Sequence, residues 1–121
     1  MTTQEIANRL VSLCSQGQLH EAIVELYSPD VVSVEAGAPP GMDRTSKGID
    51  AVKAKGEWWV TNHEVHSTTV EGPLVAGNHF SVVFKFDFTV KAAGQRVKME
   101  EIAVYKVDGG KIVYEEFFYS M

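Results

Sequence analysis

The chain has 121 residues, 16 acidic against 11 basic, giving a formal net charge of −5, with 45% apolar and 22% charged side chains. This is ordinary composition for one domain burying about two-thirds of its unfolded surface, so no metal or disulfide staple is needed. The acidic balance excludes the clustered basic surface of a nucleic-acid binder, and no uncharged apolar run approaches the roughly 20 residues of a membrane span. A single Cys14 rules out an intramolecular disulfide and fits a reducing compartment. Glu5 and Arg9 interrupt the first apolar stretch, which is not signal-peptide pattern, so a cytoplasmic location is expected.

Thr2-Thr3-Gln4-Glu5 predicts a capped helix start, followed by Ile6, Leu10, Leu13 and Cys14 at helical spacing and a stop at Gly17. A second helix carries Leu19, Ala22, Ile23, Leu26 and Tyr27 on one stripe and ends at Ser28-Pro29. The β-branched run 31–35 predicts a first strand. Residues 36–47 open with AGAPPG and predict a loop long enough to act as a lid. A third helix is expected over 49–62, with Ile49, Val52, Trp59 and Val60 to one side. From His63 the period switches to two, predicting strands at 64–75, 79–91, 96–107 and 111–119 joined by Gly-containing hairpin turns. Gly72-Pro73 predicts a bulge that bends the sheet.

The strand faces carry more information than the element order. Phe80, Val82, Phe84, Phe86, Phe88 and Val90 share one face of their strand. In the next, Val97, Met99, Ala103, Tyr105 and Val107 share a face with a single charged member, Glu101. Helices can cover one side of such a sheet. The other side retains Val83, Ile102 and Val104, an apolar patch that predicts a homodimer through the outer sheet face.

The order of helix, helix, strand, loop, helix and four-stranded meander resembles the nuclear transport factor two-like (ketosteroid isomerase-like) superfamily, and within it the SnoaL-like domains. The segments that carry the resemblance are GQLHEAIVELYSPD (17–30), KGIDAV (47–52) and VDGGKIVYEEFFY (107–119), and it extends over the whole of residues 1–121. It implies an α+β fold: a cone-shaped roll of three N-terminal helices on a strongly bent, mostly antiparallel sheet enclosing a pocket. Members of the superfamily include ketosteroid isomerases, polyketide cyclases, epoxide hydrolases and dehydratases, beside non-catalytic binders and scaffold domains, so fold alone does not select a function. Ketosteroid isomerases place a catalytic carboxylate five residues after the Asp that follows the second helix. Here Asp30 is followed at that spacing by Glu35. Their protonated oxyanion-hole Asp corresponds to Ala103, and their first-helix Tyr falls in a segment, 8–11, that has none.

Within the implied pocket, Glu35 is the candidate base, because a carboxylate beside apolar walls can have its pKa raised to suit proton transfer. Glu101 on the inner face must be protonated, hydrogen-bonded or paired with a Lys or Arg at the sheet end. His66 and Tyr105 are candidate partners in acid/base work, and Tyr105 or Tyr119 could replace the missing oxyanion donor. Trp58, Trp59, Phe84, Phe86, Phe117 and Tyr119 are the candidate ligand-binding wall, with core packing as the competing reading and room for only one of the adjacent Trp residues to face straight inward. His63-Glu64-Val65-His66 has the wrong spacing for a zincin helix and predicts no metal site. His20 and His79 read as surface residues. Cys14 reads as an inert small hydrophobe, and no nucleophile elbow, phosphate-binding glycine loop or dinucleotide fingerprint occurs. The expectation is a cofactor-independent isomerase, polyketide cyclase or hydratase acting on a small hydrophobic molecule. The alternative is a non-catalytic small-molecule-binding or dimerisation domain.

Overall fold

The structure, a computed structural model, describes residues 1–120. Three helices, α1 (Thr3–Ser15), α2 (Leu19–Leu26) and α3 (Ile49–Asn62), pack on one six-stranded sheet. The strands are β1 (Tyr27–Val34), β2 (Thr45–Lys47), β3 (His63–Ala76), β4 (His79–Val90), β5 (Gln95–Asp108) and β6 (Lys111–Phe118), ordered β2-β1-β6-β5-β4-β3. All neighbours are antiparallel except β1 and β6, which run parallel. None of the helices is long and apolar enough to cross a membrane. The expected α+β architecture is therefore present, with three changes at its N-terminal half.

The predicted capping box forms: Thr2 Oγ1 accepts from the Glu5 amide at 3.1 Å, and Glu5 Oε1 accepts from the Thr2 amide at 2.9 Å. The apolar stripe Ile6, Ala7, Leu10, Leu13 and Cys14 is buried, and α1 lies chiefly over β3. The first change concerns Tyr27. It leaves the helix at Leu26 and opens β1, so that strand is eight residues long and starts well before Val31. Pro29 lies inside it, where the pairing with β6 is interrupted between Tyr27 and Val32, so its missing N–H costs no ladder bond there. The second change is β2, three residues within the expected loop 36–47, which pairs Val34 with Thr45 and Val32 with Lys47. Backbone pairing, not side-chain pattern, makes this strand. The third is that α3 buries only Val52, while Val60 is 60% exposed.

The meander forms with boundaries within one or two residues of expectation. Its register slips between Glu71 and Leu74, where Gly72 sits at φ +117° with the neighbouring Ser81 carbonyl so close that an added Cβ would approach it to 3.1 Å. A second slip, between Val65 and Ser67, falls at His66. The inner face of the sheet presents Phe80, Val82, Phe84 and Phe88 from β4, and Glu101, Ala103, Tyr105 and Val107 from β5, all buried.

Candidate functional site

A cavity lies between α3, the segment 36–43 and the inner sheet face. Its polar lining is built by strand pairing. Ser33 pairs with Glu115 across β1 and β6, Glu115 with Tyr105 across β6 and β5, and Phe84 with Glu101 across β4 and β5. Partners in such pairs point to the same side, so Ser33, Glu115, Tyr105 and Glu101 converge from three strands. Lys55 reaches in from α3, one helical turn beyond the buried Val52.

These side chains form one chain of contacts. Glu35 stands just past β1, its backbone tied to Arg44 by an amide–carbonyl bond of 2.8 Å. Its Oε1 pairs with Lys55 Nζ at 3.0 Å, and its Oε2 accepts from the Tyr119 hydroxyl at 3.0 Å. Lys55 also donates to Ser33 Oγ and lies 5.2 Å from the Phe117 ring centroid. Ser33 donates to Glu115 Oε2 at 2.7 Å, and Tyr27 donates to the other oxygen of Glu115. Ser33 and Glu115 are essentially sealed from solvent.

Glu101 differs from its neighbours. It is only 9% exposed, and among the described residues its carboxyl makes neither a hydrogen bond nor an ion pair. The ionic partner expected at the sheet end is absent there. The carboxyl lines the cavity rather than the packed core. Burial, aided by repulsion from Glu35 and Glu115 and opposed by Lys55, pushes its pKa up to about 8. Burial also raises Glu115, against the lowering pull of Lys55 and of the hydrogen bonds from Tyr27 and Ser33. Burial followed by the Glu35 charge pushes the Tyr119 phenol up to about 12. Burial, then Glu115, pushes the Cys14 thiol to about 12, which leaves it without thiolate character at neutral pH.

The structure brings Glu35, Phe117 and Tyr119 together around Lys55 and places Glu101 and Phe84 on the same cavity wall. Phe84 and Phe86 stack with centroids 5.6 Å apart. Tyr105 is enclosed, stacked on Phe80 at 4.6 Å with 1% exposure, so its hydroxyl faces the buried network rather than open space. Trp59 stacks on His63 at 3.9 Å and meets the Phe88 edge at 4.9 Å, closing one end of the cavity, while Trp58 is 42% exposed. His66 is apart from all of these. It is exposed, and its Nε2 lies 2.7 Å from Thr89 Oγ1 on the outer sheet face: it points away from its neighbour Val65 by ordinary alternation, and the register slip after it puts it out of phase with the inward Thr68 and Val70.

Sequence reasoning missed Tyr27, Ser33, Lys55 and Glu115. Two signals were available. Glu115 has the same strand parity as Phe117 and Tyr119, and Ser33 the same parity as Val31 and Glu35. Lys55 lies at i+3 from Val52 on the inward helical stripe.

The family model described as a SnoaL-like domain matches residues 1–119. A search of curated proteins gave no match. A solved structure from Mesorhizobium loti, named as a proposed SnoaL-like polyketide cyclase and also labelled a carbohydrate phosphatase, is 44% identical, with a TM-score of 0.92 over 98% of this chain and 100% of that one. A nuclear transport factor two-like protein from Burkholderia thailandensis is similar in fold at 20% identity and TM-score 0.84, covering 99% of this chain and 92% of its own. So is a proposed isomerase from Bacillus subtilis, at 19% identity and TM-score 0.77, covering 99% and 90%.

Proposed function

The chain belongs to the SnoaL-like domain family, and from that premise we propose a cofactor-independent acid/base enzyme that moves protons on a small, uncharged, largely hydrophobic carbonyl compound. The observation that carries this reading is the pair of carboxyls with opposed environments in one apolar cavity. Glu35 is anchored beside a cation and a phenol, and Glu101 has no partner and a pKa up to about 8. Environments that separate two carboxyls in this way assign a base and an acid at neutral pH. Glu35 would take the proton from the carbon next to the carbonyl. Glu101, protonated, would donate to the oxygen on which charge develops; delivery of the proton from Glu35 to a different carbon of the enol, with Glu101 taking its own proton back from the oxygen, completes an isomerisation. Tyr119 and Lys55 would hold the Glu35 carboxylate in place. Trp59, Phe84, Phe86 and Phe117 would supply the apolar wall. His66 has no part in this scheme, and Tyr105 would act only by packing.

Phosphate esters fit the site poorly. Glu35, Glu101 and Glu115 face or back its inner end, and Lys55, the lysine that reaches in beside them, is already engaged by Glu35 and Ser33. This favours the cyclase or isomerase sense of the similar proteins' names over the phosphatase one.

The test needs no prior substrate. Wild-type protein incubated in deuterated buffer with a panel of enolisable ketones and hydroxyketones should exchange the hydrogen next to the carbonyl, read by NMR. Glu35→Gln and Glu101→Gln should each lower that exchange by about 10²- to 10⁴-fold. The rate should fall above about pH 8 as Glu101 loses its proton. Ligands that bind without any exchange would leave the non-catalytic binding reading in its place.

We also propose a homodimer through the outer sheet face, where Ile102 and Phe118 are 49% and 48% exposed beside Val83 and Val104. Sedimentation at micromolar concentration should return twice the chain mass, and Ile102→Lys should return the chain mass itself. A wild-type monomer would count against this interface.

A further inference from the structure

The cavity already contains one ammonium group held between a carboxylate and an aromatic ring. Lys55 Nζ lies 3.0 Å from Glu35 Oε1 and 5.2 Å from the Phe117 centroid. The same set of parts occurs a second time without the ammonium. Glu101 lies directly opposite Phe84 in the sheet, and Phe84 stacks with Phe86 at 5.6 Å. Met99 pairs with Phe86 on the same face and completes a soft, polarisable floor. The Glu101 carboxyl is nine-tenths buried, has no hydrogen-bond or ionic partner among the described residues, and opens to the cavity.

We propose that this second set takes a small organic ammonium ion, its charged nitrogen seated against the Glu101 carboxylate and beside the Phe84 and Phe86 rings, with the carboxyl proton released as the ion binds. Weakly hydrated alkylammonium groups lose little on leaving water and gain from both the carboxylate and the ring quadrupoles. The exchange conserves charge: one proton leaves and one monocation enters, so the cavity keeps the net charge it had with Glu101 protonated. The groups facing Glu101 permit this. Glu115 from β6 is a further acidic group, and Glu35 from the end of β1 is taken up by its ion pair with Lys55. Tyr119 is a neutral phenol, and the single positive group, Lys55 from α3, is neutralised by Glu35. This proposal does not rest on the proton-transfer reading, since it needs binding and no turnover.

The probe is choline, compared with its uncharged isostere 3,3-dimethylbutan-1-ol, by titration calorimetry in two buffers of different ionisation heat between about pH 6 and pH 9. Choline affinity should rise about tenfold per pH unit up to the Glu101 pKa of about 8 and then level off, with close to one proton released per ion at the acid end. The alcohol should bind at least about tenfold more weakly and without pH dependence. Glu101→Gln, shown to be folded by its thermal midpoint, should lose choline binding, and Phe84→Leu should weaken it while keeping the proton release. Absence of choline binding in the wild type, equal binding of the alcohol, or unchanged binding in Glu101→Gln would each overturn the proposal. Hydrogen exchange on ketones reads the proton-transfer reading separately, so either can fail alone.

Discussion

Glu101→Gln is expected to make the protein more stable than the wild type at pH 8, by a margin that shrinks toward zero near pH 5. Burial pushes the carboxyl up to about 8 in the folded chain, against an ordinary value of 4.5. Between those values the unfolded chain has lost the proton and the folded chain still holds it. Stability therefore falls as pH rises through this window, and it levels off once the folded group also ionises. A shift of this size corresponds to a few kcal/mol at its upper bound, or a thermal midpoint several degrees lower at pH 8 than at pH 5. Gln copies the shape of the protonated acid and cannot ionise, so it removes this part of the slope. Glu115, also raised, contributes in the same direction and remains in the variant, so the slope is reduced rather than abolished. Denaturant midpoints at pH 5, 7 and 9 measure the difference. Parallel curves for the two proteins would show that Glu101 is not a desolvated acid. Such a residue lowers stability at neutral pH, the usual sign of a group kept for function.

Glu115→Ala should be the most destabilising single change at the site, costing about 3–5 kcal/mol. Its carboxyl accepts from Tyr27 and from Ser33, both buried, and Ala would leave two hydroxyls with no acceptor as well as a void. For a domain with a total stability of roughly 5–15 kcal/mol this approaches unfolding. Removing the hydroxyls along with their acceptor should recover much of the loss. The triple variant Tyr27→Phe, Ser33→Ala, Glu115→Leu leaves neither of those two hydroxyls orphaned and should be more stable than Glu115→Ala alone, because the pairwise costs do not add. A Glu115→Ala protein with a wild-type urea midpoint would mean that the network carries no energy. Because Ser33 also accepts from Lys55, the same variant should loosen the lysine that holds Glu35.

Periodicity made part of this legible. Alternation along β5 exposed Glu101 as the one charged member of an apolar face, and spacing from Asp30 pointed to Glu35. Both lie on the cavity. The rest depended on pairings that local pattern does not encode. Ser33 and Glu115 meet only because β1 lies parallel to β6, a contact between segments 82 residues apart in the chain. Tyr27 fits the apolar stripe of α2 as well as a strand start, and the backbone resolves this in favour of the strand. β2 has three residues and no alternation to read. His66 shows the limit of parity itself, since one register slip reverses the side a residue faces and nothing in its neighbours announces the slip. The adjacent Trp58 and Trp59 could not both be inward; both meet His63, and Trp59 is the one that also packs on Phe86 and Phe88 of the inner face.

The position of β6 also bears on how the molecule comes together. It follows all the other strands in the chain, yet it sits inside the sheet, with β1 on one side and β5 on the other. The β3–β4–β5 meander can zip locally, but β1 and β2 join it only through this final strand. Closing that gap means paying the entropy of a long loop before the pairing repays it, which makes assembly slow and non-local. The same step brings Glu115 to Tyr27 and Ser33, and Tyr119 to Glu35. Completing the sheet and assembling the polar cluster are thus a single event, and a chain caught before it presents an open strand edge and no site.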